Sequence, residues 1–237
     1  MGADQAKPLP FAVLVVNADR QSNKGSASAI AKEFPHGGLA FLSEWGPRSL
    51  MNPGNMLVKA SDEIVIEYIS ADVSAPTSDP TGVAWDAGVW EREKNDTTGP
   101  LRLVHKNARA ILAILTHKET KQRVFALSVH MWLENKKDIR KATIEKLAEL
   151  ITALKEKDAA ALILIGGDFN APLKHVNEKI EPLGFEAGNN EEIENLFFPR
   201  GVAVCLKRPP FTVRYRREAN ERLRSFSHPF VEFEIRV

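Results

Sequence analysis

Apolar residues come along this chain in short, dense runs separated by polar stretches, and the spacing inside the runs changes with position. Near the N-terminus, "FAVLVVN" places β-branched and aromatic residues between prolines and a polar stretch, the pattern of a buried strand. A helix is expected through "SASAIAKEF", and "GLAFLSEW", "DEIVIEYI", "GVAWDAGVW", "RAILAILTH" and "QRVFALSVHMW" follow as successive strands, with "THKETKQ" as a hairpin loop between the last two. The period then changes. From Ile139 to Lys157, Ile144, Leu147, Ile151 and Leu154 recur every three or four residues among charges, which predicts an amphipathic helix. It leads into "AALILIGGDFNAP", whose apolar run does not alternate, as expected of a central strand covered on both faces. "FVEFEIRV" alternates and should be the closing strand.

Strands dominate and helices intervene irregularly, which suits two packed sheets flanked by helices. No internal repeat, low-complexity tract or linker interrupts the 237 residues, so one domain over 1–237 is expected. "SADVSAPTSDPTG" and "EREKNDTTGP" read as surface excursions of that domain, because their Pro, Gly, Ser, Thr and Asp content favours turns.

Composition changes this picture only by exclusion. Hydrophobic content of 43% and charged content of 27% exclude a disordered chain. The single cysteine, Cys205, excludes an intramolecular disulfide, and its place in "VAVCLK" predicts a buried, inert thiol. No Cys/His cluster has zinc-ligand spacing, and no apolar run approaches membrane-spanning length. The N-terminus has no basic segment before a cleavable apolar core, so a cytoplasmic or intracellular setting is expected. His36, His105, His117 and His175 fall in polar connections and are expected at the surface.

Charge adds one local feature. The net charge is +1, yet eight basic residues against two acids between Arg200 and Arg224 give that segment +6. Such a patch suits an anionic partner or a solvated loop, and the pattern alone leaves both open.

The candidate chemistry lies at the ends of the apolar runs. Asn17 follows "AVLVV", Glu44 follows "LAFLS", His130 follows "VFALSV", Asp168 and Asn170 follow "LILIGG", and His228 precedes "PFVEFEI". Strand ends are where rigid sheets present side chains to a shared cleft, so convergent positions carry more weight than scattered ones. Residues two apart on an extended backbone face the same side, which would point Asp168 and Asn170 together into that cleft.

"GGDFNAP" resembles the GDFN motif of the endonuclease/exonuclease/phosphatase (DNase I-like) superfamily. In that family's order, "VVN" is similar to the first strand with its Asn, "FLSEW" to the strand carrying a metal-binding Glu, "SVHMW" to a strand ending in His, and "SFSHPFV" to the terminal "SDHxPV". The resemblance runs from Phe11 to Val237. It implies a four-layered α/β sandwich of two packed, mainly antiparallel sheets flanked by helices, and a metal-dependent phosphodiester hydrolase, foremost a nuclease. Mg2+ or Mn2+ would be held by Glu44 with Asn17, since magnesium often takes only one or two carboxylates plus water and phosphate. By the same resemblance Asp168 orients or deprotonates the attacking water, Asn170 holds phosphate or water, and His228 and His130 donate to the phosphoryl group. Arg109 falls near a phosphate-contacting Arg of the deoxyribonuclease-like members. Arg214, Arg216 and Arg217 suit a nucleic-acid backbone, whose phosphates supply sequence-independent affinity.

Two departures stand beside these matches. The family has Asp before the terminal His where this chain has Ser227, and the strand "GVAVCLK" contains no acid to pair with that His. No Asp occurs after Asp168. An active phosphoesterase therefore competes with a weakened or inactive member that binds nucleic acid or serves as a scaffold, and a phosphoinositide or small-molecule phosphatase is a further alternative. Protein partners are not legible.

Overall fold

The structure is a computed structural model that describes residues 10–17, 24–44, 56–59, 65–70, 81–93, 99–103, 109–131, 137–188, 194–211, 214–215, 224–225 and 230–236. Along the chain it forms β1 (Phe11–Asn17), α1 (Lys24–Glu33), β2 (Leu39–Ser43), β3 (Met56–Lys59), β4 (Val65–Ser70), β5 (Gly82–Asp86), β6 (Trp90–Arg92), β7 (Gly99–Arg102), β8 (Arg109–His117) and β9 (Arg123–His130). Then come α2 (Lys137–Lys157), β10 (Leu162–Asp168), α3 (Leu173–Ile180), a 3-10 turn (Glu181–Leu183), β11 (Phe185–Ala187), β12 (Glu194–Pro199), β13 (Ala203–Phe211), β14 (Arg214–Tyr215), β15 (Arg224–Ser225) and β16 (Phe230–Arg236).

Among the described residues the strands form two seven-stranded sheets and a separate pair, β14 with β15. The first has the order β13-β16-β1-β2-β5-β4-β3, and the second β11-β12-β10-β9-β8-β6 with β7 also on β8. Their inner faces meet through Val13, Val15, Phe41 and Trp85 on one side and Ala113, Ala126, Leu164 and Leu196 on the other. Strand β10 shows why its run does not alternate: Leu162 and Leu164 face the other sheet, while Ile163 and Ile165 face the helices. Ile144, Leu147, Ile151 and Leu154 of α2 are buried there with Val176 and Ile180 of α3, each burial being worth about 1.5–3 kcal/mol. On the outer face of the first sheet, Arg208 of β13 pairs with Glu232 of β16 and reaches Glu33 of α1 at 3.0 Å, which ties that helix to the sheet. The α/β sandwich is the expected one.

Some elements differ from the pattern reading. "GVAWDAGVW" is two strands, because the Asp86 carboxylate accepts the Gly37 and Gly88 amides and turns the chain between them. Helix α3 and strands β3, β7, β11 and β12 were not legible as periodic runs. Cys205 is exposed, against the expectation of a buried thiol, because β13 is an edge strand and that position lies on its outer face. His117 is buried rather than at the surface: its ring packs edge-on against Trp90 at 5.0 Å and its Nδ1 accepts the Glu119 and Thr120 amides in the β8–β9 turn. His36 and His175 are exposed as expected, and His105 lies outside the described residues.

Burial holds the His117 imidazole below the usual histidine value, with the Glu119 carboxylate acting in the opposite direction. With the native value below the unfolded one of about 6.5, the unfolded chain takes up the proton first, so this contribution is intact at neutral pH and lost as pH falls. His117→Asn, which keeps an acceptor near Nδ1, should flatten the pH dependence of urea-unfolding stability between about pH 7 and 5; an unchanged slope would show that the ring does not contribute. Thr81 sits on the inner-facing parity of Val83 and Trp85, and its buried hydroxyl has no hydrogen-bond partner among the described residues. Thr81→Val, which keeps the shape, should raise stability by about 1 kcal/mol in the same measurement.

Candidate active site

Among the described strands each of the two seven-stranded sheets contains one parallel pair, and each pair is joined by a helix, as is usual for parallel neighbours. In the first sheet β1 and β2 run together with Asn17 level with Ser43; in the second, β9 and β10 run together with His130 level with Asp168. The carboxyl ends of both pairs meet at one end of the sandwich, since Asn17 Nδ2 donates to Asp168 Oδ2 at 2.8 Å across the two sheets. Four of the strand-end residues singled out from sequence, Asn17, Glu44, His130 and Asp168, are thereby gathered into one place.

Asp168 is buried and held from several sides. Its Oδ2 accepts from Asn17, its Oδ1 accepts the Asn170 amide at 2.9 Å, and its own amide donates to Ser43 Oγ at 3.0 Å. Both carboxylate oxygens thus act as hydrogen-bond acceptors. Asn170 does not continue the strand. Its φ of 43° is left-handed, so the parity of an extended backbone does not apply; its side-chain amide donates to the Met131 carbonyl at 2.8 Å instead. Glu44 also has a positive φ, 51°. Non-glycine residues held in this region cost about 1–3 kcal/mol each and cluster at functional sites.

His130 faces both acids. Its Nε2 lies 3.7 Å from Glu44 Oε1 and 3.9 Å from Asp168 Oδ2, and the three residues offer ligand atoms that all fall within 4.8 Å of one another. Two carboxylates and an imidazole could hold a divalent cation, and Glu44 is the member of the three most open to solvent. His130, which the family resemblance makes a donor to the phosphoryl group, thus stands between the two acids.

The remaining candidates divide by position. Arg109 pairs through its backbone with His130 across β8 and β9, which puts it beside the cluster. Arg214 is exposed on β14, in the small β14–β15 hairpin. Arg216, Arg217, Ser227 and His228 lie outside the described residues. The first described residue of β16, Phe230, precedes the Val15–Val231 pairing and so marks the site end of that strand.

Sequence reasoning passed over the residues that join the sheets here. Ser43 Oγ donates to the Val129 carbonyl and Ser128 Oγ to the Leu42 carbonyl, each at 3.3 Å, and both serines are fully buried. The available signal was one hydroxyl near the end of an otherwise apolar run, in "LAFLS" and again in "FALSV". The double glycine was also undervalued. A Cβ at Gly166 would come 2.4 Å from the Phe41 ring, and Gly167, at φ +134°, would place one 2.1 Å from the Val129 oxygen.

No protein-family model matches the sequence, and a search of curated proteins finds no match. Solved structures do match. TDP2 from Caenorhabditis elegans superposes with a TM-score of 0.67 over 100% of this chain and 77% of that one, at 15% identity. An endonuclease/exonuclease/phosphatase family protein from Bacteroides thetaiotaomicron gives 0.65 over 96% and 98%, at 13% identity. A mannosyl-6-phosphatase from the same bacterium gives 0.66 over 95% and 99%, at 12% identity. At such identities the likeness is one of fold, and it agrees with the motifs: this chain has the fold of the endonuclease/exonuclease/phosphatase proteins, in a divergent form.

Proposed function

We propose that the chain is a divalent-metal-dependent phosphoester hydrolase that cleaves the phosphodiester backbone of nucleic acid by in-line attack of water. The observation that carries this reading is the convergence of Glu44, His130 and Asp168 at the carboxyl ends of two parallel strand pairs. Neighbours of the same fold include a mannosyl-6-phosphatase and an endonuclease/exonuclease/phosphatase family protein, which supports a centre that acts on phosphate esters.

A phosphodiester repels nucleophiles through its own charge, so its hydrolysis needs positive charge and fixed donors around the oxygens that gain charge. Glu44 would hold Mg2+ or Mn2+ together with water and substrate, and the cation, when bound, supplies charge neutralisation at the phosphoryl group. Asp168 takes the proton of the attacking water. Asn17 and the Asn170 amide keep its carboxylate aimed, each by a hydrogen bond under 3 Å. His130, flanked by both acids, is placed to donate to a phosphoryl oxygen once protonated. His228 is the second donor of this reading, and no Asp follows Asp168 in the chain to support it. The chemistry therefore rests on Glu44, Asp168 and His130. Arg109, Arg214, Arg216 and Arg217 are the proposed backbone contacts.

Nicking of supercoiled DNA should require Mg2+ or Mn2+, stop on chelation, and fall about 10²–10⁴-fold in Asp168→Ala, the range for loss of a general base. Glu44→Gln should weaken Mn2+ binding about tenfold or more, the lower range for disturbing a metal site. Unchanged nicking in Asp168→Ala would sink the assignment, and turnover of p-nitrophenyl phosphate but not its bis ester would move the substrate to monoesters.

DNA affinity should fall steeply with added salt. Replacing Arg216 and Arg217 together by alanine should reduce the log–log salt slope by about one per arginine removed. A flat salt dependence would remove the nucleic-acid half of the proposal.

A further inference from the structure

We propose that Ser43 is a positioning residue of this centre: its hydroxyl fixes the backbone of Asp168 against the strand that carries Glu44. The inference rests on the hydrolytic reading above and goes beyond it, because that reading gives Ser43 no role and Ser43 offers no atom to the Glu44, His130 and Asp168 cluster.

Ser43 is the last residue of β2, next to Glu44, and is fully buried. On β2 it continues the inner-facing parity of Leu39 and Phe41, so its side chain points at the second sheet. There its oxygen accepts the Asp168 amide at 3.0 Å and its proton goes to the Val129 carbonyl at 3.3 Å. One hydroxyl thus joins β2 to both members of the parallel pair that brings in His130 and Asp168. Gly167 makes the contact possible: its φ of +134°, a conformation that side chains rarely adopt, turns the following amide toward the other sheet.

Removing the hydroxyl would strand a buried amide, which costs enough that the backbone shifts to recover an acceptor. That shift would carry the Asp168 carboxylate away from its place opposite Glu44. Small displacements matter at such a centre, where about 1 Å of misplacement costs about 100-fold in rate.

Ser128 is the matched control. It is equally buried and makes an equivalent bond between the sheets at 3.3 Å, to the Leu42 carbonyl rather than to Asp168. A purely structural role would make Ser43→Ala and Ser128→Ala alike. The inference expects both variants to unfold cooperatively with similar loss of stability, while only Ser43→Ala lowers kcat, by about 10- to 100-fold with KM within about twofold. Titration with Mn2+ alone, followed by electron paramagnetic resonance, should show weaker binding in Ser43→Ala only. Equal kcat losses in the two variants, or wild-type kcat in Ser43→Ala, would overturn it. If the wild-type protein neither hydrolyses DNA nor binds Mn2+, the hydrolytic reading fails, and the tie is then read from hydrogen exchange at the Asp168 amide. Faster exchange in Ser43→Ala and not in Ser128→Ala supports the tie; unchanged exchange overturns it.

Discussion

Gly166 of β10 lies directly against the ring of Phe41 on β2, across the interface between the two sheets. The ring occupies the space that any side chain at position 166 would need, so the separation of the sheets is set by an aromatic face against bare backbone. Two residues further on, that separation decides whether Asn17 reaches Asp168 and whether the Asp168 amide reaches Ser43. A wider gap would leave those buried groups without partners, each costing about 1–3 kcal/mol. The polar centre and the apolar core are therefore one packing problem.

The same alternation that builds the core also builds the site. Val13 and Val15 lead to Asn17, Leu39 and Phe41 to Ser43, Val124 and Ala126 to Ser128 and His130, and Leu162 and Leu164 to Gly166 and Asp168. Each inner-facing row is apolar through the middle of the sandwich and turns polar at one end. No loop is needed to aim Asn17, His130 or Asp168, because the pleat of the strand does so.

This explains what the sequence disclosed. An apolar run ending in an acid, amide or imidazole is visible in one dimension, so Asn17, Glu44, His130 and Asp168 were legible together with most central strands and helix α2. Which strand ends meet is a matter of sheet order, and only the family resemblance supplied that. The serines were missed because a hydroxyl at a strand end has many local uses, and its partner here lies 86 or 125 residues away. Helix α3 was missed because eight residues give a periodic signal only two turns to appear. Cys205 was misplaced because an edge strand has the composition of a central one on its covered face and no cover on the other.

The pairing of parallel strands has a consequence for the life of the chain during folding. The unit from β1 to β2 brings Asn17 and Glu44, and the unit from β9 to β10 brings His130 and Asp168. Neither unit holds a complete set. A nascent chain or a partly folded intermediate with one sheet formed has half a centre and no chemistry, whatever its local structure. Under the proposed function, competence would arrive in one step with the docking of the sheets, because only then do Glu44, His130 and Asp168 stand together.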